Sequence, residues 1–124
     1  AYLAPGGFHL NVVRRDPGVV CKLSQAPARH GCRPSMDELL ESLVDVYGER
    51  IVATILTGMG CDGLAGCRAV KAAGGAVVAQ NRESSAVYGM PKAVIDAGLA
   101  DVVLPLDAIG DMLAGNRYRR AKLS

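Results

Sequence analysis

Apolar positions along the chain follow two different periods, and the switches between them divide it into elements. In residues 36–47, MDELLESLVDVY, Met36, Leu39, Leu40, Leu43, Val44 and Tyr47 recur at helical spacing on one face. Ser35 and Glu38 form a capping-box pattern at its start, and Gly48 supplies the stop. "IVATIL" and "AVVAQ" are instead apolar runs without polar alternation, which predicts buried strands, the first on both faces, and "DVVLPL" reads as a third strand. Between and after them, "DGLAGCRAVKAAGG", "GMPKAVIDAG" and "DAIGDMLAG" read as helices. Gly74 and Gly75 end the first, Pro91 sits in the first turn of the second with Gly98 behind it, and Asp107 is expected to cap the third. Nearer the start, "HLNVVRR" and "VVCKLS" flank Asp16–Gly18, a hairpin turn signal.

Strands alternating with helices imply parallel pairing through right-handed crossovers. The expected fold is therefore α/β: a doubly wound, mostly parallel sheet with helices on both faces and an antiparallel hairpin near the N-terminus. Composition agrees. Half of the 124 residues are apolar, yet there is one phenylalanine and no tryptophan, so small aliphatic side chains must build the core. The chain opens directly on the apolar "AYLAPGG", which reads as a cut inside a larger domain and so as an incomplete domain. Residues 1–115 are expected to form one part of that domain and 116–124 a solvated basic tail.

The formal net charge of +2 is too small to imply nucleic acid or an anionic membrane surface, and no apolar run is long enough for membrane insertion. Cys21, Cys32, Cys61 and Cys67 include no C-x-x-C pair, and no secretory segment is present. A reduced, cytoplasmic protein is the expectation, with no metal site; "HGC" at His30–Cys32 is the only tight donor cluster.

The stretch "TGMGCDG" (residues 57–63) lies at the carboxyl end of a predicted strand and runs into a helix. Ligands and catalysis gather at such strand ends in open α/β sheets. Three readings are open for Asp62. It could cap the helix that follows it. The loop could hold a phosphate, although a carboxylate there repels an anion and neither G-K-[ST] nor G-x-G-x-x-G is present. Or Asp62 could orient a histidine, fixing its tautomer and stabilising the imidazolium formed when a serine attacks.

Five blocks now carry a resemblance. "YLAPGGFHL", "RPSMDELLES", "ILTGMGCDGLAG", "GGAVVAQNRESSAVYGMP" and "AVIDAGLADVVLPL" occur in the order found in the C-terminal half of the catalytic domain of the bacterial chemotaxis methylesterase (CheB) family, over residues 2–113. The resemblance implies a serine hydrolase with a Ser-His-Asp triad that cleaves glutamate methyl esters on methyl-accepting chemoreceptors, with glutamine deamidation in some members. It places the triad aspartate at Asp62, and puts Thr57, Gly58, Met59 and Gly60 in the active-site loop. The Met59 backbone is the oxyanion contact it suggests, and Met90 has a supporting role. In the family the serine and histidine come from blocks upstream of "APGG", so the chain as given is expected to lack both and to be inactive alone. Of its own residues, Ser35 is better explained as a cap. Ser84 and Ser85 lack a nucleophile-elbow pattern. His9 is expected to be structural or at the site rim, and His30 to be exposed. No metal or organic cofactor is needed by this chemistry. A receiver domain in cis is common in the family. The alternative is a non-catalytic receptor- or regulator-binding module of the same fold, or a nucleotide-binding α/β protein.

Overall fold

The computed structural model describes residues 1–115; the basic tail lies outside them. Two strands form an antiparallel hairpin, β1 (His9–Arg15) and β2 (Gly18–Ser24), in register from His9↔Ser24 to Arg15↔Gly18. Helix α1 (Met36–Tyr47) follows. The remainder alternates: β3 (Val52–Ile55), α2 (Leu64–Ala72), β4 (Ala76–Gln80), α3 (Gly89–Asp96), β5 (Val102–Leu104) and α4 (Leu106–Gly115). The strands β3, β4 and β5 lie in that order in a parallel sheet, pairing Val52↔Ala76 and Val78↔Val102. The architecture is the expected one, with the parallel sheet, the hairpin and helices on both faces.

The core is made of small aliphatic groups. On one face of the sheet, Ala53, Ile55, Val77 and Ala79 meet Leu40 of α1, Cys67 and Val70 of α2, and Val94 of α3. On the other face, Val78 packs against Ile109 and Met112 of α4. Each fully buried Val or Ile contributes about 1.5–3 kcal/mol, so many modest contributions replace a few large aromatic ones. Helix α1 is buried on two sides. One side packs on α2, and the other receives the hairpin through the Val12 amide donating to Ser42 Oγ and Arg14 Nη2 donating to the Val46 carbonyl.

Two expectations are corrected here. β4 is buried throughout, as its pattern requires, but β3 alternates: Ala53 and Ile55 are buried while Val52 is 41% and Leu56 just beyond it 39% exposed. The reason is topological. Among the described residues β3 pairs only with β4, and α4 covers Val78 and Leu104 rather than β3. Asp107 does not cap α4. The helix already begins at Leu106, so Asp107 lies within its first turn, where a carboxylate still favours the positive end of the helix dipole.

Candidate active site

The loop after β3 is held from above and below. The Thr57 amide donates to Gln80 Oε1 at 2.8 Å, and Gln80, at the end of β4 and buried, turns its Nε2 to the Ser84 carbonyl. Thr57 Oγ1 donates to the Val87 carbonyl at 3.0 Å and lies 2.8 Å from the Val87 amide; only one hydroxyl serves both bonds. Gly58 bonds to the same segment twice: its amide donates to the Val87 carbonyl and its carbonyl accepts from the Met90 amide, both at 2.9 Å. This approach is close enough to require glycine. A Cβ on Gly58 would lie 2.4 Å from Met90 Sδ, and one on Gly89 would lie 3.2 Å from both the Gly58 carbonyl oxygen and the Gly60 nitrogen. The loops that follow β3 and β4 thus form one wall, with Met59 projecting at its tip, 83% exposed. Among the described residues, no hydrogen bond is made by the Met59 or Gly60 amide.

Asp62, two residues beyond Gly60, is only 6% exposed. It does not cap α2. Gly63, at φ 99°, is the N-cap of that helix and offers no side chain. Asp62 instead reaches the N-terminus of α1. Its Oδ1 accepts from Ser35 Oγ at 2.7 Å and from the Asp37 amide at 3.2 Å, and its Oδ2 accepts from the Met36 amide at 2.7 Å. Asp37, fully buried, returns the favour. Its Oδ1 accepts from the Gly63 amide at 3.0 Å and the Gly66 amide at 2.7 Å, so it caps α2 from within α1. Each carboxylate satisfies donors at the start of the other's helix, where the dipole favours negative charge.

The capping box is also rearranged. Ser35 Oγ lies 3.5 Å from the Glu38 amide as the pattern predicts. The Glu38 side chain, however, turns away to Asn11 and Arg29. The Ser35 amide goes to His9 instead, donating to Nδ1 at 3.2 Å, while His9 Nε2 faces the Pro27 carbonyl at 3.0 Å. These partners assign the Nε2–H tautomer. With both ring nitrogens engaged by backbone and the ring fully buried, His9 is a structural support beneath Ser35. His30 lies in the tight turn between Arg29 and Cys32, exposed, with its Nε2 3.9 Å from Asp37 Oδ2. Arg29 fastens that turn to α1 through Glu38 and through two contacts to Glu41, at 2.5 and 3.0 Å. The Arg29 hydrogen bonds hold the Glu41 carboxyl below its usual range. Among the described residues, no group of three or more His, Cys, Asp or Glu could hold a metal ion, and no helix is long and apolar enough to cross a membrane.

Asp62 is expected from the sequence in a glycine loop at a strand end; in the structure its carboxylate bonds to Ser35, Met36 and Asp37, while Met90 packs against Gly58. Ser35 is the expected cap and His9 the expected structural histidine, but the bonding of Asp62 to Ser35 and the cross-helix role of Asp37 were missed. The available signal was the "SMD" triplet, a cap followed by a first-turn carboxylate, but nothing in it says that the partner is a second helix.

A buried carboxylate and a glycine wall following the parallel strands β3 and β4 belong to an α/β protein of the open-sheet class, in which ligands generally bind at the carboxyl ends of the strands. The chain belongs to the CheB methylesterase family, whose model matches residues 1–113. It is 44% identical over 119 residues to the protein-glutamate methylesterase/protein-glutamine glutaminase 1 of Paramagnetospirillum magneticum, spanning 96% of this chain and 31% of that protein. It is 47% identical over 112 residues to the enzyme of the same name, without the numeral, from Rhodopseudomonas palustris strain BisB5, spanning 90% of this chain and 29% of that protein. The crystal structure of the Thermotoga maritima CheB methylesterase catalytic domain superposes with a TM-score of 0.88 at 41% identity, covering 90% of this chain and 59% of that one.

Proposed function

We propose that this chain supplies the C-terminal part of the catalytic domain of a chemotaxis protein-glutamate methylesterase, and that Asp62 is its triad carboxylate. The observation that carries the reading is the state of the Asp62 side chain. A carboxylate offers about four acceptor positions, and helix α1 occupies three of them. One position on Oδ2 is left for an imidazole N–H, in a site buried enough to make that bond strong.

The chemistry follows. A serine, which with the histidine would come from outside this chain, attacks the γ-carbonyl of a glutamyl methyl ester. Histidine takes the serine proton, Asp62 stabilises the imidazolium, and the proton then passes to the leaving methoxide, releasing methanol. Water hydrolyses the acyl-enzyme by the same route. The Met59 and Gly60 amides, on a wall fixed by Thr57, Gly58 and Met90, would receive the oxyanion. An open, glycine-lined site suits a substrate presented on the side of a chemoreceptor helix in the cytoplasm. The same acyl chemistry would deamidate glutamine, with ammonia as leaving group. A receiver domain preceding the catalytic domain would regulate access to this edge.

The 124-residue chain alone should be inactive. Among the described residues no serine hydroxyl is bonded to an imidazole: Ser35 Oγ serves Asp62, and Ser84 and Ser85 are tied to Asn81. Methanol release from methylated chemoreceptor is the test. The complete polypeptide carrying this chain should hydrolyse the ester and its Asp62→Ala variant should lose about 10⁴-fold in kcat. An Asp62→Ala variant of near wild-type rate would refute the assignment.

A further inference from the structure

The geometry points to Asp37 as a positioning residue for the reaction: through its bonds to Gly63 and Gly66 it sets the direction in which the last open acceptor position of Asp62 faces. This rests on the reading of Asp62 as the triad carboxylate and goes one step further, to what aims it.

Asp37 acts on Asp62 from two sides at once. Its amide donates to Asp62 Oδ1, fixing the carboxylate. Its own carboxylate grips the Gly63 amide, one residue beyond Asp62, fixing the backbone that carries it. The Gly66 bond, at 2.7 Å, extends the grip into the first turn of α2. The two helices are therefore locked at the ends where Asp62 lies between them. Gly66 makes that lock possible, because a Cβ there would come within 2.7 Å of Leu40 Cβ and 3.2 Å of Asp37 Cα.

An ordinary capping role does not explain the choice of residue. A helix N-terminus is normally capped by the Ser, Thr, Asp or Asn just ahead of it. Here the residue at that place is Gly63, and the capping group is brought from another helix as a fully buried carboxylate. Its Oδ2 makes no hydrogen bond, and His30 Nε2 at 3.9 Å is too distant for one. A half-satisfied buried carboxylate is a costly way to end a helix. Such departures from local preference are expected where function sets the geometry.

The test compares Asp37→Ala, Asp37→Asn and Asp62→Ala in the complete polypeptide, by methanol release from methylated chemoreceptor. Asp37→Ala should lower kcat about 10- to 100-fold with KM nearly unchanged, since misplacement by about an ångström has costs of that order. Asp37→Asn should restore most of the lost kcat, because one amide oxygen can still accept from both Gly63 and Gly66. If Asp37→Ala does not fold, Asp37→Ser, whose shorter side chain cannot span both amides, takes its place with the same expectation of a lowered kcat. A wild-type kcat in the Ala or Ser variant, or an Asn variant as impaired as the Ala variant, overturns the positioning role. An active Asp62→Ala variant overturns the underlying reading instead, whatever the Asp37 variants do.

Discussion

Asp62 accepts the amide of Asp37 at 3.2 Å, while Asp37 accepts the amide of Gly63, the residue next to Asp62. Two carboxylates of like charge are thus held in adjoining sites by the positive ends of two helices. They are used differently. Asp62 accepts with both oxygens, whereas every hydrogen bond made by the Asp37 carboxylate goes to Oδ1.

That difference predicts opposite tolerance to the same conservative change. In Asp62→Asn one oxygen becomes an NH₂ that must face a donor, either the Met36 amide or the Ser35 and Asp37 pair. The cost should be about 1–3 kcal/mol, close to that of Asp62→Ala. In Asp37→Asn the NH₂ can take the Oδ2 position, which has no hydrogen-bond partner, and the cost should be smaller than for Asp37→Ala. Urea midpoints of the four variants of the 124-residue chain check this. An Asp62→Asn midpoint equal to wild type would be inconsistent with the geometry.

Gly66 and Gly110 both lie inside helices, and replacement by alanine should move stability in opposite directions. Alanine gains about 1 kcal/mol over glycine in a helix interior. At Gly110 a Cβ meets nothing within 4 Å, so Gly110→Ala should be stabilising by up to that amount. At Gly66 it would collide with Leu40 and with the Asp37 backbone, where the helices touch. Overpacking of about 1–3 kcal/mol then outweighs the propensity gain. Thermal melts of the two variants should shift to opposite sides of wild type.

Much of this was legible in the sequence, and the remainder was not for a physical reason. Periodicity located β4, α1 and the crossover helices because each is determined by its own residues and by burial against neighbours on the chain. The glycine loop stood out as a candidate because Gly58 and Gly60 follow closely on an apolar strand. β3 was read as doubly buried because "IVATIL" is apolar throughout; its exposed positions, Val52 and Leu56, depend on what packs over the sheet, which local pattern does not encode. At Asp62, as at Asp107, the local rule of Asp before a helix predicts the wrong role. The actual partners of Asp62 are Ser35, Met36 and Asp37, more than twenty residues away, and only the packing of α1 on α2 brings them together.

Burial pushes the Cys67 thiol up to about 12 from 9.0, with the Asp37 charge adding to the effect. In native protein, thiol reagents should therefore modify the exposed Cys21 and Cys61 and leave Cys67 until unfolding. The same shift has a consequence for stability. The folded state holds the Cys67 proton more tightly than the unfolded state, so the contribution is fully present below about pH 9 and is lost as pH rises toward about 12. Replacing the thiol with a non-titrating hydroxyl in Cys67→Ser should flatten the fall in urea midpoint between pH 8 and pH 10. An alkaline slope unchanged by the substitution would contradict it.

The uncovered side of β3 predicts how the 124-residue chain behaves in solution. An edge strand presents unpaired N–H and C=O groups that invite another strand. Here the edge carries apolar side chains as well, with Val52 and Leu56 about two-fifths exposed, and Tyr2 and Leu3 preceding the hairpin at 82% and 94%. Thr54, on the same strand, keeps a buried Oγ1 without a hydrogen-bond partner. Among the described residues β3 itself carries no charge or proline of the kind by which edge strands avoid association. The chain should self-associate at micromolar concentration, and a lysine at Val52 or Leu56 should shift it toward monomer without lowering its melting temperature. Sedimentation velocity measures both. A monodisperse wild-type monomer with a sharp thermal transition would mean that β3 is protected in some way its exposed side chains do not reveal.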